Sequence, residues 1–147
     1  MVTLSAWGPA GPWSARRGFD SLVQCPTGIA AIEGSPHQPG AMPAQALDHA
    51  TGYLAAAAAV MALAASAADG RARYQQLSLA RTAKWFTDTG HSQPSQPREP
   101  RTEPLLTDVP CHGFAVRVVR PPGQIGDLTP TWTHTTDLGA DPPSFTA

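Results

Sequence analysis

With 147 residues, the chain is long enough for one domain with a real core. Charged residues make up 14% and the formal net charge is -1, so no basic surplus points to nucleic acid and no acidic tail points to a solvating region. Sixteen prolines and thirteen glycines are many for a compact enzyme domain, and the two cysteines, Cys25 and Cys111, make no framework. They form either one bridge or two free cytosolic thiols.

In chain order, residues 2–6 read as a short strand, because Val2, Thr3 and Leu4 precede small residues. Residues 7–13 carry Gly-Pro twice and read as a loop. A helical segment opens at Asp20 and carries Leu22 and Val23, with Ile29 and Ile32 following Pro26 and Gly28. Residues 34–40 form another turn-rich loop, and Pro43 is placed to begin a long alanine-rich helix at its first position. That helix holds five alanines from Ala55 to Ala59 and ends at Asp69-Gly70, where glycine suits the left-handed cap.

Residues 73–79 alternate as a strand, and residues 79–86 read as a short amphipathic helix with Leu79, Ala83 and Phe86 near one face. This alternation of strand and helix predicts an α/β layer. Residues 89–104 are rich in Pro, Ser, Gln, Glu and Arg and read as a linker. Residues 114–119 are the clearest strand, and the remainder reads as an extended, proline-rich tail lying on a partner surface. The expected division is therefore 1–88, 89–104 and 105–147.

The apolar run at 53–68 is mostly alanine and shorter than the roughly twenty strongly apolar residues of a membrane span. It predicts a helix buried against close neighbours, and no membrane. The start of the chain has no basic region followed by an apolar stretch, so the expected compartment is the cytoplasm. Cys111-His112 is the one Cys/His neighbour pair and has no second pair at zinc spacing, so no metal site is expected. No serine lies in a Gly-x-Ser-x-Gly setting. The four tryptophans are spread along the chain as core or interface anchors.

Asp48 is the residue that draws attention. It sits in the first turn of the alanine-rich helix, where unpaired N–H groups and the macrodipole favour a carboxylate. The same field keeps that carboxylate ionised, which suits a nucleophile. Gly52, four residues on, shares its helical face and leaves space beside it. On the helix alone, such an aspartate reads equally as a stabiliser of the first turn.

Four blocks give Asp48 a context: Leu4-Ser-Ala-Trp-Gly-Pro-Ala-Gly-Pro-Trp, Arg17-Gly-Phe-Asp-Ser-Leu-Val-Gln, Gln45-Ala-Leu-Asp-His-Ala-Thr-Gly-Tyr and Leu77-Ser-Leu-Ala-Arg-Thr-Ala. Their order and spacing resemble the class III CoA-transferases, a family that includes formyl-CoA:oxalate, carnitine and bile-acid CoA-transferases and the α-methylacyl-CoA racemases. Residues 110–119 and 138–143 look like the family's C-terminal stretch. The resemblance implies an α/β large domain, here partial, and two subunits interlocked like rings. It places Asp48 on the nucleophilic aspartate, with acyl-CoA and an acceptor carboxylic acid as substrates and no covalently bound cofactor. It places Arg17 and Phe19 near the CoA, with Asp20 as an acidic residue close to the active site. The residues by themselves read as a solvated Arg17, a core Phe19 and a helix-capping Asp20.

In relatives a Rossmann-like half precedes the first block and supplies much of the CoA site, so this chain is expected to need that half from elsewhere. The glycine-rich loop that covers the aspartate in the transferases is also not evident. The alternative is a non-catalytic remnant acting as an oligomerising or binding module. A racemase-type isomerase is the third reading. Racemases place a histidine before the aspartate of the second block, where this chain has Phe19. His49 stands about 100° round the helix from Asp48.

Overall fold

The computed structural model describes residues 1–90, 101–133, 135–137, 139, 140 and 144. It divides into two units, Met1–Gln93 and Pro94–Ala147.

In the first unit, β1 (Val2–Ser5) and β2 (Gln75–Ser78) pair in parallel, from Val2 opposite Gln75 to Ser5 opposite Ser78. Between them lie α1 (Asp20–Gln24), α2 (Ile29–Ile32) and α3 (Ala46–Asp69). α4 (Leu79–Asp88) follows β2 without a loop. Ser78 makes the join, because its extended backbone ends the strand while its Oγ accepts the Arg81 amide at 3.2 Å. The class is the expected mixed α/β, a long alanine-rich helix among short strands.

The start of α3 differs from the sequence expectation. The helix begins at Ala46 and leaves Pro43 outside. Gln24 accepts the Met42 amide on Oε1 at 3.0 Å, and Asp20 accepts the Asp48 amide on Oδ2 at 2.9 Å. These two bonds tie the approach to α1, and Gln45 stays non-helical at φ -73°, ψ 63°. The other end is as the sequence predicts: Gly70 is left-handed at φ 69° and its amide reaches the Ser66 carbonyl at 2.8 Å.

Val23, Ile29, Leu47, Leu79 and Ala83 form the core, with Trp7, Met42 and Phe86 packed against it. Thr51 and Thr82 join α3 to α4 by a buried hydrogen bond of 2.7 Å. Because Thr82 gives its own proton to the Ser78 carbonyl, Thr51 is the donor. Gly18 is required where the segment before α1 crosses β1's end, since a Cβ there would lie 2.5 Å from that of Ala6.

α3 is not the buried helix that its composition predicts. Leu47 and Thr51 are its buried residues, whereas Tyr53, Val60, Met61 and Leu63 are 61–71% exposed. One layer of the unit packs on one side of α3, and the other side faces solvent. By length and apolarity alone α3 could cross a bilayer. Leu47 and the Thr51–Thr82 bond anchor its first turns to the unit's core.

In the second unit, a single turn of 3-10 helix (Glu103–Leu105) leads into β3 (Leu106–Cys111), antiparallel to β4 (Phe114–Val119). β4 is the predicted strand, and β3 was not predicted. The two-residue turn between them has His112 at φ 45° and Gly113 at φ 86°, the left-handed pair of a type I′ hairpin turn. Across the ladder Arg117 grips Asp108 through Nε at 2.8 Å and Nη2 at 3.1 Å. That hydrogen bond holds the Asp108 carboxyl below the usual range.

Two points of the tail reach back to its own hairpin. Trp132 Nε1 donates to the Val119 carbonyl at 2.8 Å, and the Thr135 amide donates to that of Pro110 at 3.2 Å. Most of the expected linker, residues 91–100, and residues 141–143 of the tail lie outside the described residues.

Candidate active site

The site is built from the start of α3 and the helix that caps it. Asp48 is the third residue of α3, so its amide is one that no intrahelical carbonyl reaches. Gln45, at the cap position, makes no side-chain bond to the helix. Asp20 takes that role from 28 residues away, accepting the Asp48 amide on Oδ2 while Oδ1 accepts from Gln24 Nε2. Asp20 is 1% exposed, so its carboxylate is committed to these bonds.

Asp48 is the opposite case. It is exposed, and among the described residues nothing bonds to its carboxylate. The three other aspartates of this unit are all engaged: Asp20 as above, Asp69 with Arg73 and Asp88 with Lys84. Asp48 lines an open depression of about 440 Å³ with His49, Gly52, Tyr53 and Ala56. A Cβ built on Gly52 would meet nothing within 4 Å, so the space beside the carboxylate is real.

The structure thus brings Asp48, Gly52 and Asp20 together. Phe19 sits at the N-cap of α1, directly before Asp20, and is 65% exposed rather than in the core. Arg17 lines a different depression, of about 360 Å³, with Trp7, Trp13, Arg16, Leu22 and Cys25 among its walls. Trp7 and Trp13 meet edge to face at 4.7 Å, the Arg16 guanidinium lies 5.6 Å from the Trp13 ring, and Trp7 Nε1 donates to the Arg17 carbonyl. Sequence reasoning missed Gln24, whose amide links Asp20 to the backbone of Met42. Its signal was the four-residue spacing from Asp20 on one helical face. It also missed Tyr53 and Ala56 as walls of the depression. Both cysteines are free thiols, and among the described residues no three His, Cys, Asp or Glu side chains gather where a metal would sit.

The sequence pattern of CoA-transferase family III matches residues 1–113. The chain belongs to that family. The match holds the first four sequence blocks, Asp48 included, and stops before β4. Among solved structures, Rv3272 from Mycobacterium tuberculosis is similar at 28% identity and a TM-score of 0.55, over 60% of this chain and 25% of that one. Its aspartate-to-alanine mutant gives 27% identity and the same TM-score, over 60% and 24%. A CAIB/BAIF family protein from Brucella suis shares the fold at 20% identity and a TM-score of 0.51, over 78% of this chain and 32% of that one. This family III chain therefore spans a quarter to a third of the length of these solved relatives. No curated protein matches it.

Proposed function

We propose that this chain carries the nucleophile for moving CoA from an acyl-CoA to a carboxylic acid, and that Asp48 is that nucleophile. Family membership supports the reaction class. The observation that carries the residue is the contrast of partners: Asp48 alone among the aspartates of its unit presents a carboxylate without a partner among the described residues, beside open space at Gly52.

The carboxylate attacks the thioester carbonyl, giving an aspartyl–acyl anhydride and expelling CoA thiolate. The thiolate attacks the aspartyl carbonyl, which releases the donor acid and leaves an aspartyl-CoA thioester. The acceptor carboxylate attacks that thioester, and the freed thiolate then takes the acceptor's acyl group and restores Asp48. Each step exchanges one acyl–oxygen or acyl–sulfur bond for another, so no redox partner is needed. Ordinary carboxylates are ionised at pH 7, so no general base is required. Asp20 fixes the backbone of the nucleophile, and Gly52 leaves room for the thioester.

Intact-mass analysis after incubation with acyl-CoAs and a hydroxylamine or borohydride quench tests this. The expected result is a modification mapped to Asp48 and absent from Asp48→Ala. A modification retained in Asp48→Ala overturns the assignment. If the chain alone gives none, the same assay is run with the rest of the family fold supplied as a second polypeptide. No modification there either leaves the chain a folded, non-catalytic module.

A further inference from the structure

The second unit holds a cavity of about 510 Å³ within its own residues. Four segments wall it: the 3-10 turn with the start of β3, the end of β4, the Pro121-Pro122-Gly123 corner, and residues 129–132 on the way back. Hydrogen bonds tie these segments together. The Arg120 amide donates to the Leu105 carbonyl at 2.8 Å, and Trp132 Nε1 donates to that of Val119 at 2.8 Å. Between corner and return, Ile125 and Leu128 exchange two amide-to-carbonyl bonds of 3.0 Å around Gly126, which is left-handed at φ 57°. The family match ends at residue 113, so the stretch from Val119 to Trp132 lies beyond it.

The chemistry of the wall decides what fits. Four of its residues are prolines, Pro104, Pro121, Pro122 and Pro130, whose rings are rigid and whose nitrogens carry no hydrogen to donate. The indole nitrogen of Trp132 is committed to Val119, so its ring brings apolar surface, and the residue is still 54% exposed. Arg120 is the one charged residue in this wall, and among the described residues its guanidinium has no hydrogen-bond or ion-pair partner. Arg117, three positions earlier, is bound to Asp108 instead. The threonines of the wall suit either charge, so Arg120 alone sets the sign. A free guanidinium among apolar walls matches a negative charge on an apolar body, and it holds a carboxylate by two parallel hydrogen bonds. The volume is that of a pocket for one small molecule. A cation has no acidic residue to meet here. A proline-rich peptide docks on rows of aromatic rings, and Trp132 is the one aromatic residue in the wall.

We infer that this cavity binds a small carboxylic acid with an aromatic or alicyclic body, its carboxylate paired with Arg120 and its ring laid against Trp132 and the prolines. The inference stands on the second unit alone. It uses neither Asp48 nor the transfer reaction, so it holds or fails apart from both.

The test titrates the full chain with naphthoic acid and follows the Trp132 indole and Thr131 amide signals by proton–nitrogen NMR. The expected result is a saturable shift of both with a Kd below about 1 mM. Naphthamide, which has the same shape without the charge, binds about tenfold or more weakly. Arg120→Gln weakens the acid by about the same factor and leaves naphthamide unchanged, and Arg120→Lys, which keeps the charge without the fork, falls between parent and Arg120→Gln. Both variants keep the cross-strand contacts of β3 and β4, because the Arg120 side chain is exposed. Four results overturn the inference: no saturable shift at Trp132 up to about 10 mM acid, equal affinity for acid and amide, an Arg120→Gln variant that binds the acid like the parent, or tighter binding of naphthylmethylamine or of an oligoproline peptide than of the acid.

Discussion

Asp20→Asn is the sharpest perturbation of the site, because it changes one atom in a buried network. Asp20 supplies two acceptors to two donors, Oδ2 to the Asp48 amide at 2.9 Å and Oδ1 to Gln24 Nε2. Asparagine keeps one acceptor and turns the other into a donor. Gln24 cannot adapt by rotating its amide, since its Oε1 already accepts the Met42 amide at 3.0 Å. One buried donor is left facing another, at a cost of about 1–3 kcal/mol. Asp20→Ala removes both acceptors, so it forfeits a helix cap worth about 1 kcal/mol and also strands Gln24 for a further 1–3 kcal/mol or so. Relief from burying a carboxylate offsets part of this, which brings the alanine variant to about 2–3 kcal/mol.

Urea unfolding followed by tryptophan fluorescence reads these losses, because Trp7 packs on the core. Amide exchange at Asp48 reads the cap itself. A double-mutant cycle with Gln24→Ala isolates the pair, for which the expected coupling is about 0.5–3 kcal/mol. If Asp20→Asn unfolds within about 0.5 kcal/mol of the parent and the Asp48 amide exchanges no faster, the tertiary cap does not hold α3 and the reasoning fails.

Gly52→Ala should stabilise α3 by about 0.5–1 kcal/mol, since the position is mid-helix and an added methyl meets nothing. The same methyl should lower the yield of modified Asp48, and a gain in both stability and yield would show that substrate does not use this space. Gly113→Ala should loosen the β3–β4 hairpin by about 1 kcal/mol, because φ 86° is left-handed, and unchanged cross-strand NMR contacts and stability would refute the turn assignment. Arg117 depresses the Asp108 carboxyl, so the pair's contribution is complete above about pH 4 and is lost as pH falls through the lowered value. An NMR titration of Asp108 should therefore find a midpoint below the ordinary one, and Arg117→Gln should raise it. A midpoint that does not move in the variant would break the assignment.

What was legible in the sequence follows from how far each determinant reaches. The end of α3 at Gly70, the start of α4 at Ser78 and the strand at 114–119 depend on residues within a few positions, and all three were readable. The start of α3 depends on Asp20 and Gln24, 28 and 18 residues from the amides they bind, and Pro43 misled because local preference was the only signal at hand. β3 was hidden because Asp108 and Pro110 break its apolar alternation, and its partner on the other side of His112-Gly113 restores it. The exposure of α3 was hidden for another reason. Its composition describes a covered helix, and the elements of this unit pack on one side of it alone.

Asp20 and Asp48 show why residue type could not settle the site. Both are aspartates in the first turn of a helix, and that position predicts the same stabilising role for each. Burial separates them. At 1% exposure Asp20 can be tolerated only with its oxygens bonded, which makes it a structural acceptor and bars it from attacking anything. Asp48 is held by its backbone amide, so its carboxylate is left free. Resemblance singled out one of the two as the nucleophile. The fold brings α1 against the first turn of α3, where Asp20 is used up in bonds to the Asp48 amide and Gln24 while the carboxylate of the proposed nucleophile stays exposed.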